Sequence, residues 1–153
     1  YATWTSPIRK YSDMVNHRLI KAVLTQQACE KTQDEVLARL QEARRQNRLV
    51  ERDIADWLYC RYLADKVAEN AEFDAKVQDV MRGGLRVQLL ENGASMFVPA
   101  STLHPNKDEM QVNADELALY IQGERRYKIG DLVKVKLTEV REETRSIIGQ
   151  LII

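Results

Sequence analysis

Residues 85–98 read LRVQLLENGASMFV. Leu85, Val87 and Leu89 alternate with Arg86 and Gln88, the period of a strand with one buried face. Asn92-Gly93 is the strongest short hairpin signal, and it predicts a return strand over Ala94–Val98. The same alternation lies on both sides. Upstream, Phe73, Ala75 and Val77 alternate with Asp74, Lys76 and Gln78. Downstream, Tyr127 to Gly130 leads into Val133, Val135 and Leu137, which alternate with Lys134, Lys136 and Thr138. Arg141 to Thr144 reads as a turn before a last strand over Arg145–Ile152.

These segments make five main strands in about 80 residues. A small antiparallel barrel closes its edges at that size, and the OB-fold is the five-stranded case. The stretch 103–126 is longer than a usual loop, and Leu117–Ile121 within it reads as an added short strand.

Residues before 70 behave differently. They hold one Pro and no Gly, whereas all six Gly and the other two Pro follow. Helices are expected there, so the fold class is α+β, with N-terminal helices over residues 1–70 and the barrel over 71–153. A first helix is predicted from about Pro7 to Leu24, with Ser6 as N-cap and Pro7 at the first helical position. Ile8, Tyr11, Val15, Leu19 and Val23 form its apolar stripe, and Arg9, Asp13 and His17 line up on an adjoining face. A second helical region begins at Thr32, where Thr32 and Glu35 make a T-x-x-E capping box. Its stripe runs through Val36, Leu40, Ala43, Asn47, Val50, Ile54, Trp57 and Arg61, widened by Leu58 and Tyr62. No Gly or Pro interrupts 32–68, so the pattern admits one long helix or two with a break near 41–45. Arg44, Arg45, Arg48, Glu51 and Arg52 read as a solvated face of Arg–Glu pairs.

The bulk numbers bound the function classes. With 153 residues, 44% hydrophobic and 30% charged, the chain has room for one ordinary domain or two small ones. No apolar run approaches the roughly 18 residues of a membrane span. The sequence starts at Tyr1 with no secretory pattern, which predicts a piece of a longer protein. Cys29 and Cys60 lie far apart without metal-ligand spacing, so no metal site is expected, and reduced thiols in a cytoplasmic protein are. Net charge is zero: residues 1–70 hold 12 Lys/Arg against 10 Asp/Glu, and residues 71–153 hold 11 against 13. Any nucleic-acid contact must therefore come from local placement of charge.

Two segments carry a family resemblance. T-S-P-I-R-K-Y-S-D with the later N-H-R (residues 5–18) resembles the end of the catalytic domain of the bacterial ribonuclease II family, the RNB-type 3′→5′ exoribonucleases. E-R-D-I-A-D-W-L-Y-C-R-Y-L (51–63) resembles that domain's closing helix, and residues 72–153 resemble the S1 RNA-binding domain that follows it. The resemblance implies a processive hydrolase of single-stranded RNA that releases nucleoside 5′-monophosphates with Mg²⁺ held by aspartates. Those aspartates lie upstream of the S-P-I-R motif in the family, so this chain is expected to lack the metal site and to be inactive alone. The expected partners are single-stranded RNA and the remaining domains of the same chain.

The resemblance also assigns residues. Arg9 matches the arginine that contacts the scissile phosphate, a role that fits a guanidinium's two parallel hydrogen bonds to developing charge. Asp13 would orient Arg9 and His17 would brace Asp13; an ordinary i,i+4 pair is the other reading. Glu51 matches an acidic position near the active site, where it would repel a bound phosphate or hold Arg48 or Arg52. Tyr11 and Trp57 carry motif positions but sit on the apolar stripes, so core packing is expected. An S1 domain usually offers an aromatic pair in Y-G-x-F on its second strand and a His after the third; here those positions read Gly83, Arg86 and Pro99. The RNA-facing candidates that remain are Arg86, Phe97, Lys134, Lys136 and Arg145, with Phe97 equally readable as core. Weak RNA binding by this region alone is expected. A stand-alone RNA-binding module and a protein-docking scaffold are the rival readings.

Overall fold

The computed structural model describes residues 2–28 and 31–152, so the expectation for Cys29 lies outside the described residues. Two compact units divide the chain, residues 1–51 and 52–153.

In the first unit, α1 (Tyr11–Leu24) begins four residues later than the sequence predicts. Ser6 does not cap it with its hydroxyl. Instead, the Ser6 carbonyl accepts the N–H groups of Arg9 (3.2 Å) and Lys10 (2.9 Å), closing a turn before the helix. Lys10 is then extended (φ −121°, ψ 108°), which separates this turn from α1. Asp13 anchors the turn. Its carboxylate is fully buried and accepts the Ser6 N–H at 2.9 Å and the Ser12 hydroxyl at 3.3 Å. Hydrogen bonds from Thr3, Ser6 and Ser12, and the charge of Lys10, hold its pKa below the ordinary 3.8 against the opposing push of burial.

The second helix, α2 (Asp34–Leu63), is one helix of 30 residues without a break near 41–45. The Gln33 carbonyl accepts from Val36 and Leu37, so Gln33 occupies the position the capping box assigns to Thr32. Of the described residues in the first unit, only Asp13 is fully buried; Ile8, Tyr11 and Val23 of the predicted stripe are exposed, and Val15 and Leu19 are half-buried.

The second unit is a closed barrel. Its strands are β1 (Glu72–Met81), β2 (Gly84–Leu89), β3 (Ser95–Pro99), β7 (Leu132–Arg141) and β8 (Ser146–Leu151), in the order β1-β2-β3-β8-β7. Four seams are antiparallel. The fifth, β3 with β8, is parallel and pairs Phe97 with Ile148. Residues 103–126 hold more than the one short strand expected. A separate antiparallel sheet runs β4 (Met110–Asn113), β5 (Ala118–Ile121), β6 (Glu124–Lys128). The two residues joining β5 to β6, Gln122 and Gly123, both have positive φ (54° and 80°), the signature of a mirror-image hairpin turn. Gln at its first position is why the sequence hides it.

Alternation fills the barrel as expected. Val77, Leu85, Val87, Leu89, Met96, Val98, Val135 and Leu137 are at most 1% exposed, each such side chain contributing about 1.5–3 kcal/mol of burial. Cys60 and Leu63 of α2 join this core, and the Tyr59 hydroxyl donates to the Asn92 carbonyl at 2.9 Å. The buried face of α2 is therefore the Tyr59–Cys60–Leu63 face, not the predicted stripe. Ile54, Leu58 and Tyr62 are exposed, and Trp57 is 40% exposed with the Arg61 guanidinium 5.1 Å from its ring centroid.

Gly84 has φ +141°, and a Cβ there would meet the Val98 carbonyl and come within 2.9 Å of the Ala100 nitrogen. Gly84→Ala should lower the urea-unfolding stability of the barrel by more than about 2 kcal/mol. The Asp13 anchor predicts a pH dependence. Because its pKa is depressed in the folded state, its contribution is present above the ordinary 3.8 and lost as pH falls through the lower folded value. Amide exchange at Ser6 should accelerate, relative to its intrinsic rate, across that acid window. Asp13→Ala should show little Ser6 protection at any pH.

Candidate nucleic-acid interface

Three of the five RNA-facing candidates meet in one surface depression of about 350 Å³. Arg86, Phe97 and Arg145 line it with Arg52, Asp53, Asp56, Ser95, Thr144 and Ile147. Strand pairing explains the meeting. Arg86 on β2 lies opposite Phe97 on β3, whose register partner on β8 is Ile148. Phe97 is half-buried on the outer face, while its neighbours Met96 and Val98 point into the core. Its ring lies beside Gly83: a Cβ built there would be 3.7 Å from the Phe97 Cζ. An aromatic surface thus stands next to a position where the family pattern has an aromatic, supplied from the neighbouring strand.

Charge in the depression is mixed. Arg145 sits at φ +53° and its guanidinium is 3.3 Å from the Asp53 carboxylate. Asp56 adds a second negative charge against Arg52 and Arg86. Lys134 and Lys136 do not line this depression. They lie on β7 opposite Asp74 and Glu72 of β1, and the Lys134 ammonium is 3.9 Å from Asp74.

The candidates in the first unit separate as well. Arg9 is exposed in the turn before α1, not in the helix's first turn. Asp13 binds Ser6 and Ser12, and no described hydrogen bond or ion pair joins it to Arg9. It therefore acts on Arg9 only through the turn that carries it. His17 does not brace Asp13. Its Nε2 is 2.9 Å from the Trp4 carbonyl, and its ring stacks on Trp4 at 3.7 Å between centroids. Tyr11, expected in the core, is 48% exposed at the first residue of α1, and no described apolar side chain of the first unit is fully buried. Glu51 is exposed on α2, and no described ion pair joins it to Arg48 or Arg52.

Arg9, Lys10 and Tyr11 line a second pocket, of about 530 Å³, together with Thr3, Ser12, Leu40, Gln41, Ala43, Arg44 and Asn47. Sequence reasoning assigned Arg44 to a solvated face and did not single out Lys10 or Trp4. No periodicity distinguishes Arg44 from Arg45 or Arg48; only the placement of α2 beside the Arg9 turn does.

No group of three or more His, Cys, Asp or Glu side chains able to hold a metal ion exists among the described residues. The Mg²⁺ implied by the resemblance finds no ligand set among the described residues. No helix among the described residues is long and apolar enough to cross a membrane.

The family model described as the S1 RNA binding domain matches residues 66–151, and that of the RNB domain matches residues 1–26. The chain is 84% identical over 152 residues to "Exoribonuclease 2" of Haemophilus influenzae (strain 86-028NP), covering 99% of this chain and 23% of that protein. It is 73% identical over 151 residues to the protein of the same name from Pasteurella multocida (strain Pm70), again 99% and 23%. The chain thus spans about a quarter of the length of the curated relatives it matches. Among solved structures, the apo form of Mycoplasma genitalium RNase R is similar with a TM-score of 0.76 at 23% identity, over 99% of this chain and 24% of that one. A second structure of that RNase R, in complex with ribose-methylated single-stranded RNA, gives the same values. At that identity the likeness shows the fold. The five-stranded barrel and the family match over 66–151 lead to one conclusion: this chain belongs to the S1 RNA binding domain family.

Proposed function

We propose that this chain is part of a processive 3′→5′ exoribonuclease that hydrolyses single-stranded RNA to nucleoside 5′-monophosphates in cytoplasmic mRNA turnover, with Mg²⁺ bound by residues of the parent protein outside this chain. The observation that carries the reading is 84% identity over nearly the whole chain to a protein named Exoribonuclease 2. In this reading residues 1–70 close the catalytic domain and residues 71–153 form the S1 domain. The solved RNase R bound to single-stranded RNA supports RNA as the ligand.

The residues divide the work by chemistry. Arg9, exposed at the mouth of its pocket, contacts the scissile phosphate, where a fixed guanidinium stabilises charge that grows in the transition state. Asp13 holds the turn that aims Arg9. Glu51 repels the phosphate that leaves or advances. On the barrel, Phe97 supplies a stacking face and Arg86 a cation beside it, while Arg145 is partly neutralised by Asp53. The barrel acts as one wall of an RNA clamp, adding contacts once the rest of the enzyme holds the strand.

A 5′-labelled single-stranded RNA incubated with the full-length parent and Mg²⁺ should shorten from its 3′ end. Arg9→Ala in that protein should lower kcat by about 10²-fold or more with a much smaller change in RNA affinity. An unchanged rate would remove Arg9 from the transition state. Fluorescence anisotropy with oligo(A) should show Phe97→Ala weakening binding about tenfold, and Lys134→Ala, whose charge already faces Asp74, less than about twofold. The chain by itself should bind oligo(A) only in the micromolar range or weaker at physiological salt; submicromolar affinity would contradict the clamp-wall role.

A further inference from the structure

The residues that lead into the Arg9 turn have no regular structure of their own: Thr3 and Trp4 lie in neither helix nor strand. Three residues of α1 hold this stretch instead. The Asn16 Nδ2 donates to the Thr3 carbonyl at 2.7 Å, the His17 Nε2 lies 2.9 Å from the Trp4 carbonyl, and the Asp13 carboxylate takes the Ser6 N–H at 2.9 Å. Asp13, Asn16 and His17 are spaced i, i+3 and i+4, so a single face of the helix makes all three contacts. His17 makes a fourth. Its ring lies on the Trp4 ring with 3.7 Å between centroids and 9° between planes. A carbonyl oxygen can only accept, so the His17 Nε2 carries the hydrogen and donates it. The half-buried imidazole thus uses its edge on the Trp4 backbone and its face on the Trp4 side chain.

These contacts reach Arg9 through the backbone. The Ser6 carbonyl closes the turn by accepting from the Arg9 and Lys10 N–H groups. Among the described residues, no side-chain hydrogen bond or ion pair holds the Arg9 guanidinium. Its aim is therefore set by the chain that carries it. One anchor, Asp13 on Ser6, fixes a point and leaves the turn free to pivot about it. The Trp4 anchor, two residues earlier, fixes the direction in which the chain enters the turn. Direction matters to catalysis, because misplacing a reacting group by about 1 Å can cost about 10²-fold in rate. We propose that His17 is a positioning residue for RNA hydrolysis: by donating to the Trp4 carbonyl and stacking on the Trp4 ring, it sets the direction of the Arg9 turn. The proposal rests on the reading that Arg9 contacts the scissile phosphate in the parent enzyme.

The test uses the full-length parent with His17→Ala, His17→Gln, Arg9→Ala, the double variant Arg9→Ala/His17→Ala, and the control Lys21→Gln, at an exposed position in the last turn of α1. Degradation of 5′-labelled oligo(A) gives kcat and KM, and amide exchange by mass spectrometry follows residues 3–10 and the barrel strands. His17→Ala should lower kcat about tenfold and change KM less than about twofold. Exchange over residues 3–10 should accelerate while the barrel strands keep their protection. His17→Gln, which still offers an N–H to the Trp4 carbonyl, should recover most of kcat, and Lys21→Gln should match the wild type. In the Arg9→Ala background the His17→Ala change should cost nothing more, because both act through one guanidinium. A wild-type kcat in His17→Ala, the same tenfold cost with Arg9 already removed, or a loss of protection in the barrel as well would each overturn the proposal while the Arg9 reading stands. A wild-type kcat in Arg9→Ala would remove that reading and the proposal together.

Discussion

The barrel depends on how closely β8 can approach its neighbours. A Cβ at Gly149 would run into the Met96 sulfur and come within 2.7 Å of the Lys136 carbonyl. The missing side chain lets β8 lie between β3 and β7 and close the ring through its one parallel seam. Closure removes the sheet's free edges and places Ile148 beside Phe97. Without that seam, Phe97 would have no wall on its β8 side, and the depression shared by Arg86, Phe97 and Arg145 would lose its floor at Ile147.

Charge in this chain is organised by which ions are already paired. On the barrel, Lys134 faces Asp74, Arg145 faces Asp53 and Arg141 faces Glu139. Exposed pairs of this kind contribute little stability, but each reduces the positive field available to a polyanion. The first unit does the reverse. Its Glu42 is taken by Arg45 and its Asp13 is buried in a turn beside the Lys10 charge, and among the described residues Arg9 and Arg44 form no ion pair. A chain of zero net charge can therefore still carry unpaired cations in one region while those of another are matched by carboxylates.

Much of the barrel was legible because period-two alternation reports one buried face directly, and Asn92-Gly93 marks its hairpin. The β4–β6 sheet was not, because its strands are four or five residues long and its tight turn uses Gln122 where Asn or Asp is the usual signal. The start of α1 was misjudged for a different reason. Ser6-Pro7 has the composition of a helix start, but the Ser6 N–H is claimed by Asp13, a side chain seven residues on that only tertiary structure brings back. Periodicity found α2 but chose the wrong face: the exposed stripe through Ile54, Trp57 and Leu58 is more apolar than the Tyr59–Cys60–Leu63 face that meets the core. At the site, residue type pointed to Arg86, Phe97 and Arg145, which the fold gathers. It could not reveal that Arg44 lines the Arg9 pocket, since neighbouring arginines on one helix look alike until packing separates them.

The β4–β6 sheet also bears on the order in which the chain acquires its structure. Closing the barrel requires β3 to find strands that begin only after residues 100–131, and the entropy of bringing distant segments together slows such long-range pairing. The intervening meander pairs only with its immediate neighbours in sequence, so it can form early and shorten the free chain between the two halves of the barrel. Ala118, Leu119 and Ile121 are buried, with Leu119 and Ile121 in the main core cluster, so the meander is also packed against the barrel. A segment that looks like an ornament on the finished barrel thus takes up, with short-range pairing, much of the chain that closure would otherwise have to span.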